Sequence, residues 1–227
     1  MSKLVMFDVE GTLVDCVPQT LECWQRTFAE FGFEYSITRL QHYSGCDPDD
    51  MIKALLRGPE RTRLASILKK RQGKRYRSEY LPWVEAFPGV RALFEALAAA
   101  GCARSLVTSC AKDELDHYMK LTGIADLVGC IACGEIACGE EVKRQKPHPD
   151  LIDLALAKTG FPAGSAIMVG DTPFDAAAAK RAGVPAIGLL SGGFSNKALR
   201  TAGCKQTFRD PEHLKQALPS WLDASEA

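Results

Sequence analysis

Asp8 and Glu10 stand two residues apart at the end of a short apolar run, Leu4–Phe7, and Gly11-Thr12 follow at once. A strand repeats every two residues, so positions 8 and 10 fall on one side of the chain. Gly11 lets the backbone turn and approach a ligand closely. Two acids on one side can divide the work of a nucleophile and a general acid/base. Three further polar groups follow in the chain. Thr108-Ser109 come after Ser105–Val107, and Gly170-Asp171 after Ala166–Val169, with Asp175 four residues on; Lys146 stands in Lys-Pro-His-Pro, just before a predicted helix. Asp8 and Asp171 offer hard oxygen ligands that suit Mg²⁺, which binds through one or two carboxylates plus a phosphate and retained waters. The hydroxyls and N–H groups of Thr108 and Ser109, with the N–H groups at Glu10 and Gly11, can hold phosphate oxygens, and Lys146 offsets the negative charge. An aspartate attacking phosphorus gives an aspartyl-phosphate, and a metal with a lysine stabilises the in-line transfer.

The elements that must position these groups are legible from Phe87 onward. A helix from Val90 ends at Gly101, followed by a strand over 104–107, a helix over 112–121 and a strand over 127–133. A helix over 149–158 stops at Gly160; a strand over 166–170, a helix over 175–182 and a strand over 186–190 follow. A short strand near 206–208 and a helix over 213–222 close the chain. Strands alternating with helices imply an α/β fold, a Rossmann-like, doubly wound parallel sheet, with ligands at the carboxyl ends of the strands. Residues 16–85 break this rhythm. Leu21, Trp24, Phe28 and Phe31 share a helical face, Asp47-Pro48 offers a cap and first-turn proline for a helix over 49–56, and a charged helix runs from about Glu60 to Tyr80. The expected division is therefore a core of 1–15 and 86–227 with an inserted all-helical cap of 16–85.

The order Asp-x-acid-Gly-Thr-Leu, Thr-Ser, Lys-Pro and Gly-Asp-x3-Asp resembles the haloacid dehalogenase superfamily, in particular its phosphatase-like members with a helical cap after the first motif. The resemblance covers both the core and the insertion. It implies Asp8 as nucleophile, and Glu10 in the acid/base position and giving its carbonyl to Mg²⁺. It further implies Thr108 as the phosphate-binding hydroxyl of the second motif, Lys146 as the cation of the third motif, and Asp171 as a Mg²⁺ ligand with Asp175 beside it. Caps of this type reach the site through a loop, here Ser44-Gly45-Cys46-Asp47, which is expected to select the substrate. The implied reaction is Mg²⁺-dependent hydrolysis of a small phosphorylated metabolite. A sugar-phosphate mutase and a non-catalytic binding relative are the alternatives. Glu10 is the departure, since this motif usually carries Asp there. One added methylene moves the carboxyl by about 1.5 Å, and a misplacement on the order of 1 Å can cost about a hundredfold in rate. Enolase-phosphatases of the same superfamily are similar in carrying Asp-x-Glu-Gly-Thr.

Composition narrows the partners. The chain has 227 residues, 46% hydrophobic, with 28 basic and 28 acidic side chains. This balance gives no global field for nucleic acid or a membrane surface. The apolar start is short and runs into Asp8, so a cytoplasmic location is expected, with monomer and homodimer both left open. Nine cysteines, an odd number, read as reduced thiols. The spacing Cys130-x2-Cys133-x4-Cys138 could suggest a metal site, but it lies in a tandem copy of Ile-Ala-Cys-Gly-Glu, which explains it without one. The basic run 69–77 reads as a solvated helix face.

Overall fold

Leu4–Phe7 is an unbroken apolar stretch with all four residues buried, as expected of a central strand covered on both faces. A computed structural model of the chain describes residues 3–133, 142, 144–218 and 220. Its strands are β1 (Leu4–Phe7), β2 (Val14–Asp15), β3 (Glu85–Ala86), β4 (Ala103–Thr108), β5 (Cys130–Cys133), β6 (Ala166–Gly170), β7 (Ala186–Leu189) and β8 (Cys204–Phe208). The first four helices are α1 (Val17–Ala29), α2 (Ile37–Gln41), α3 (Pro48–Leu55) and α4 (Gly58–Arg75). The rest are α5 (Val90–Ala99), α6 (Lys112–Thr122), α7 (Asp150–Thr159), α8 (Pro173–Arg181), α9 (Asn196–Ala202) and α10 (Pro211–Gln216). Contacts separate two units, Met1–Asp15 with Glu85–Ala227, and Cys16–Val84.

In the larger unit six strands form a parallel sheet in the order β5-β4-β1-β6-β7-β8. Side chains of β1 alternate between its two faces. Leu4 and Met6 join Val107, Met168 and the buried residues of α7, α8 and α9 in one apolar layer. Phe7 packs on Phe94 of α5 on the other face, with ring centroids 4.7 Å apart. Helices on both faces of a parallel sheet make this the doubly wound α/β architecture anticipated from the sequence. Strand order reverses at β1: the chain runs outward through β4 and β5, then returns to β6 on the opposite side. The carboxyl ends flanking that reversal form the crevice in which such sheets bind ligands.

The smaller unit is helical among its described residues. Val17, Leu21, Trp24 and Phe28 of α1 pack with Met51, Ile52, Leu64 and Leu68. Asp47 caps α3 by accepting from the Asp49 amide at 2.8 Å. The basic run is a solvated face at Lys70, Arg71, Lys74 and Arg77, and departs from one at Arg75. Lys69 pairs with Asp49 at 2.7 Å and Arg71 with Glu30 at 2.8 Å. Arg75 is buried, donates to Thr27 Oγ1 at 2.9 Å and pairs with Glu30, because its helical position places it on the inward face with Leu64 and Leu68.

Some boundaries differ from expectation for local reasons. The strand expected over 127–133 is confined to Cys130–Cys133, since the Leu127 amide closes a turn onto Ile124 O. The charged helix starts at Gly58, with Pro59 in its first turn, and finishes as a π-helical turn, Tyr76–Tyr80. The last helix begins earlier, at Pro211, where Asp210 accepts from the His213 amide. The two-residue ribbon β2–β3 and helix α9 are additions. The side chains of Cys130, Cys133 and Cys138, which carry the thiolate metal pattern, lie outside the described residues.

Candidate active site

Parallel pairing decides which chain tips meet. β1 lies between β4 and β6, with Phe7 opposite Leu106 on one side and Val169 on the other. The Asp8 amide donates to Val169 O at 2.9 Å, which sets Asp8 beside the Gly170-Asp171 tip. Beyond Asp8 the chain makes a tight loop in which Gly11 adopts φ 78°, a left-handed conformation that glycine supplies without steric cost. The Gly11 amide donates to Val14 O at 2.9 Å, and Ser191, just after β7, donates its hydroxyl to Gly11 O at 2.7 Å.

Lys146 joins the acids. Its buried Nζ lies 2.5 Å from Asp8 Oδ1 and 2.8 Å from Asp175 Oδ1. Burial alone would lower its pKa, but the two carboxylates outweigh that and raise it, so the ammonium stays charged. Asp175 is held in turn by the start of α8. Thr172 and Asp175 form a reciprocal capping box, the Thr172 amide and hydroxyl donating to Asp175 Oδ2 at 3.1 and 2.7 Å. Asp175, the third helical residue and partner of the Thr172 cap, thus also orients the lysine.

Asp8, Asp171 and Asp175 each present a carboxylate oxygen within 4.8 Å of the others, and all three are buried. Burial, opposed by Lys146 and reinforced by Asp175, pushes the Asp8 carboxyl up to about 6. Burial, then the nearby charges of Asp8 and Asp175, raises Asp171 well above the usual carboxylate range. Thr12 donates to Asp171 Oδ1 at 2.7 Å, while Asp171 Oδ2 is buried without a hydrogen-bond partner among the described residues. A side chain at Gly192 would meet that oxygen at 1.8 Å, so glycine there leaves its surroundings open. Clustered hard oxygens with one orphaned acceptor fit Mg²⁺. Asp8 and Asp171 would hold it, with Asp175 adjacent and the Glu10 carbonyl as the further oxygen implied by the motif.

Glu10 is partly buried and accepts from Tyr118 OH, on α6, at 3.2 Å. Burial, then the charges of Glu114 and Asp8, raises its carboxyl to about 8. It is therefore a proton carrier at neutral pH, as a general acid requires. Thr108 ends β4, and its hydroxyl accepts from the Cys110 amide and donates to Cys110 Sγ, both at 3.2 Å. Burial, then Glu10, lifts the Cys110 thiol well above its ordinary value, which leaves it protonated and a poor nucleophile.

Of the residues singled out by sequence, Asp8, Lys146, Asp171 and Asp175 form one connected cluster, while Glu10 and Gly11 follow β1, Thr108 ends the neighbouring β4 and Ser109 follows it. Ser44 and Gly45 belong to the smaller unit, in the turn between α2 and α3 where Gly45 has φ 80°. Thr12, Tyr118, Ser191 and Gly192 escaped the sequence reading. Thr12 alone had a signal, its place inside the first motif.

The haloacid dehalogenase-like hydrolase model matches residues 5–189. A phosphoglycolate phosphatase of Rhodospirillum rubrum is 28% identical over 227 residues, covering 92% of this chain and 88% of its own. Another, from Yersinia pseudotuberculosis, is 30% identical over 203 residues, covering 87% and 85%. Among solved structures, a hydrolase from Pseudomonas syringae superposes with a TM-score of 0.85 at 26% identity, covering 97% of this chain and 99% of its own. The match across both sheet and insertion, on a site of buried acids bridged by a lysine, makes this chain a member of the haloacid dehalogenase-like hydrolase family.

Proposed function

We propose that this hydrolase is a Mg²⁺-dependent phosphatase that acts on a small phosphorylated metabolite through an aspartyl-phosphate on Asp8. The observation that carries the reading is the convergence of Asp8, Asp171 and Asp175 within 4.8 Å, with Lys146 bonded to Asp8 and Asp175. Both relatives described above are named phosphoglycolate phosphatases, which supports a compact phosphorylated acid as the substrate class.

In the first step an Asp8 carboxylate oxygen forms a bond to phosphorus as the ester P–O bond breaks. The electron pair goes to the leaving oxygen, which takes the proton held by Glu10. In the second step Glu10, now a carboxylate, accepts a proton from water. The water oxygen bonds to phosphorus, the bond to Asp8 breaks, and inorganic phosphate leaves. Thr108 and Ser109 bind the phosphate oxygens, whereas the Gly11 amide, expected from the sequence to share that task, is engaged by Val14 O, and Lys146 balances the charge gathered on Asp8 and phosphate. Bound Mg²⁺ supplies a further positive charge to the phosphoryl group. The helical unit acts as the cap, with Ser44 and Gly45 selecting the substrate. No helix among the described residues is long and apolar enough to cross a membrane. Cys23, Cys46, Cys102, Cys110 and Cys204 are free thiols, four of them buried, which suits a reducing, cytoplasmic setting.

The test is a panel of small phosphate esters assayed with Mg²⁺ and analysed for product. Free phosphate in stoichiometry with alcohol supports the reading. An isomerised sugar phosphate would reassign the enzyme as a mutase, and inactivity across the panel would leave only a binding role.

A further inference from the structure

The longer acid at position 10 has a partner fitted to its length. Tyr118 comes from α6, 108 residues away, and is 1% exposed, so its ring is fixed by packing. Its hydroxyl reaches Glu10 Oε1 at 3.2 Å. An aspartate on the same backbone would end about one methylene, about 1.5 Å, short of that hydroxyl and outside hydrogen-bond range. We propose that Tyr118 is the positioning residue that makes glutamate competent as the acid/base of this site, so that Glu10 and Tyr118 work as a matched pair. This rests on the phosphatase reading above.

The chemistry follows from which oxygen is engaged. A phenol donating to Oε1 fixes that oxygen as the acceptor, so the transferable proton of the neutral acid sits on Oε2. Oε2 then gives its proton to the leaving oxygen as the P–O bond breaks, and later takes one from the attacking water. Without the hydroxyl the carboxyl rotates among alternatives, and protonation of the leaving group loses its alignment. Glutamate carries one more torsion than aspartate, and this hydrogen bond offsets that freedom.

Leaving-group dependence separates positioning of an acid from general damage. kcat/KM reports events through release of the alcohol. An alkyl phosphate needs its leaving oxygen protonated, whereas a p-nitrophenyl phosphate departs as a stable anion. Tyr118→Phe keeps the buried ring and removes only the hydroxyl. It should reduce kcat/KM for an alkyl phosphate by about tenfold or more, and by a markedly smaller factor for p-nitrophenyl phosphate. Glu10→Asp, which keeps the tyrosine, should show the same selective loss, and adding Tyr118→Phe to it should change the rates by less than about twofold, since the pair is already broken. Equal losses on both esters, additive losses in the double variant, or a gain on Glu10→Asp would each overturn the matched pair while leaving the phosphatase reading intact. A wild-type protein that hydrolyses neither ester overturns both.

Discussion

Replacing Lys146 by methionine tests the electrostatic centre of the site through folding as well as activity. At an effective dielectric of about 20, unit charges at the observed 2.5 and 2.8 Å attract by about 7 and about 6 kcal/mol. Withdrawing each ion from water offsets several kcal/mol of this, so the pairs are not net gains of that size. Removing one member of a buried pair nevertheless leaves the other uncompensated, at a cost of about 3–5 kcal/mol. Here two acids lose one cation. The cost depends on pH, and its sign can be worked out. Asp8 titrates near 6 in the folded protein, above its ordinary 3.8, so its burial lowers stability progressively as pH rises between those values. Without Lys146 its folded value climbs further and that loss continues to higher pH. At pH 5 Asp8 is already largely protonated in both proteins. Urea denaturation with a chelator present should therefore show Lys146→Met destabilised by about 3–5 kcal/mol at pH 8 and by at least about 1 kcal/mol less at pH 5. A loss equal at the two pH values, or below about 1 kcal/mol at pH 8, would refute the bridging role.

Two further outcomes follow from the same geometry. kcat/KM for an alkyl phosphate should fall above pH about 8 as Glu10 loses its proton, and should fall on the acid side at or below about 6 as Asp8 gains one; Glu10→Gln should abolish the alkaline limb, and its persistence would assign that limb to another group. Gly192→Ala places a methyl where Asp171 Oδ2 now lies, so it should cost about 1–3 kcal/mol of stability and weaken Mg²⁺ binding in titration calorimetry by at least about tenfold; unchanged affinity would remove Asp171 from the cation site.

The sheet was readable because β1, β6 and β7 are short apolar runs, and because alternation with helices leaves a parallel sheet as the solution. The acids at positions 8 and 171 were readable because each follows such a run directly. Tyr118 was not, since a tyrosine at helical spacing on α6 reads as packing, and only the fold brings its hydroxyl to Glu10. Ser191 and Gly192 gave no local signal either, because their partners Gly11 and Asp171 lie across the sheet. Arg75 was hidden by its neighbours: in a run of nine mostly basic residues, burial of one depends on register with Leu64 and Leu68, which charge counting ignores. The ribbon of Val14–Asp15 with Glu85–Ala86 is too short for a periodic pattern and exists only because the chain returns to where it left the larger unit.

The most direct measurement is to trap the covalent state. Protein mixed with a turning-over phosphate ester and quenched in acid should yield, by peptide mass spectrometry, a phosphoryl group on Asp8, and Asp8→Asn should show neither adduct nor turnover. Phosphate release by Asp8→Asn at the wild-type rate, or turnover with the adduct on another residue, would contradict Asp8 as the nucleophile.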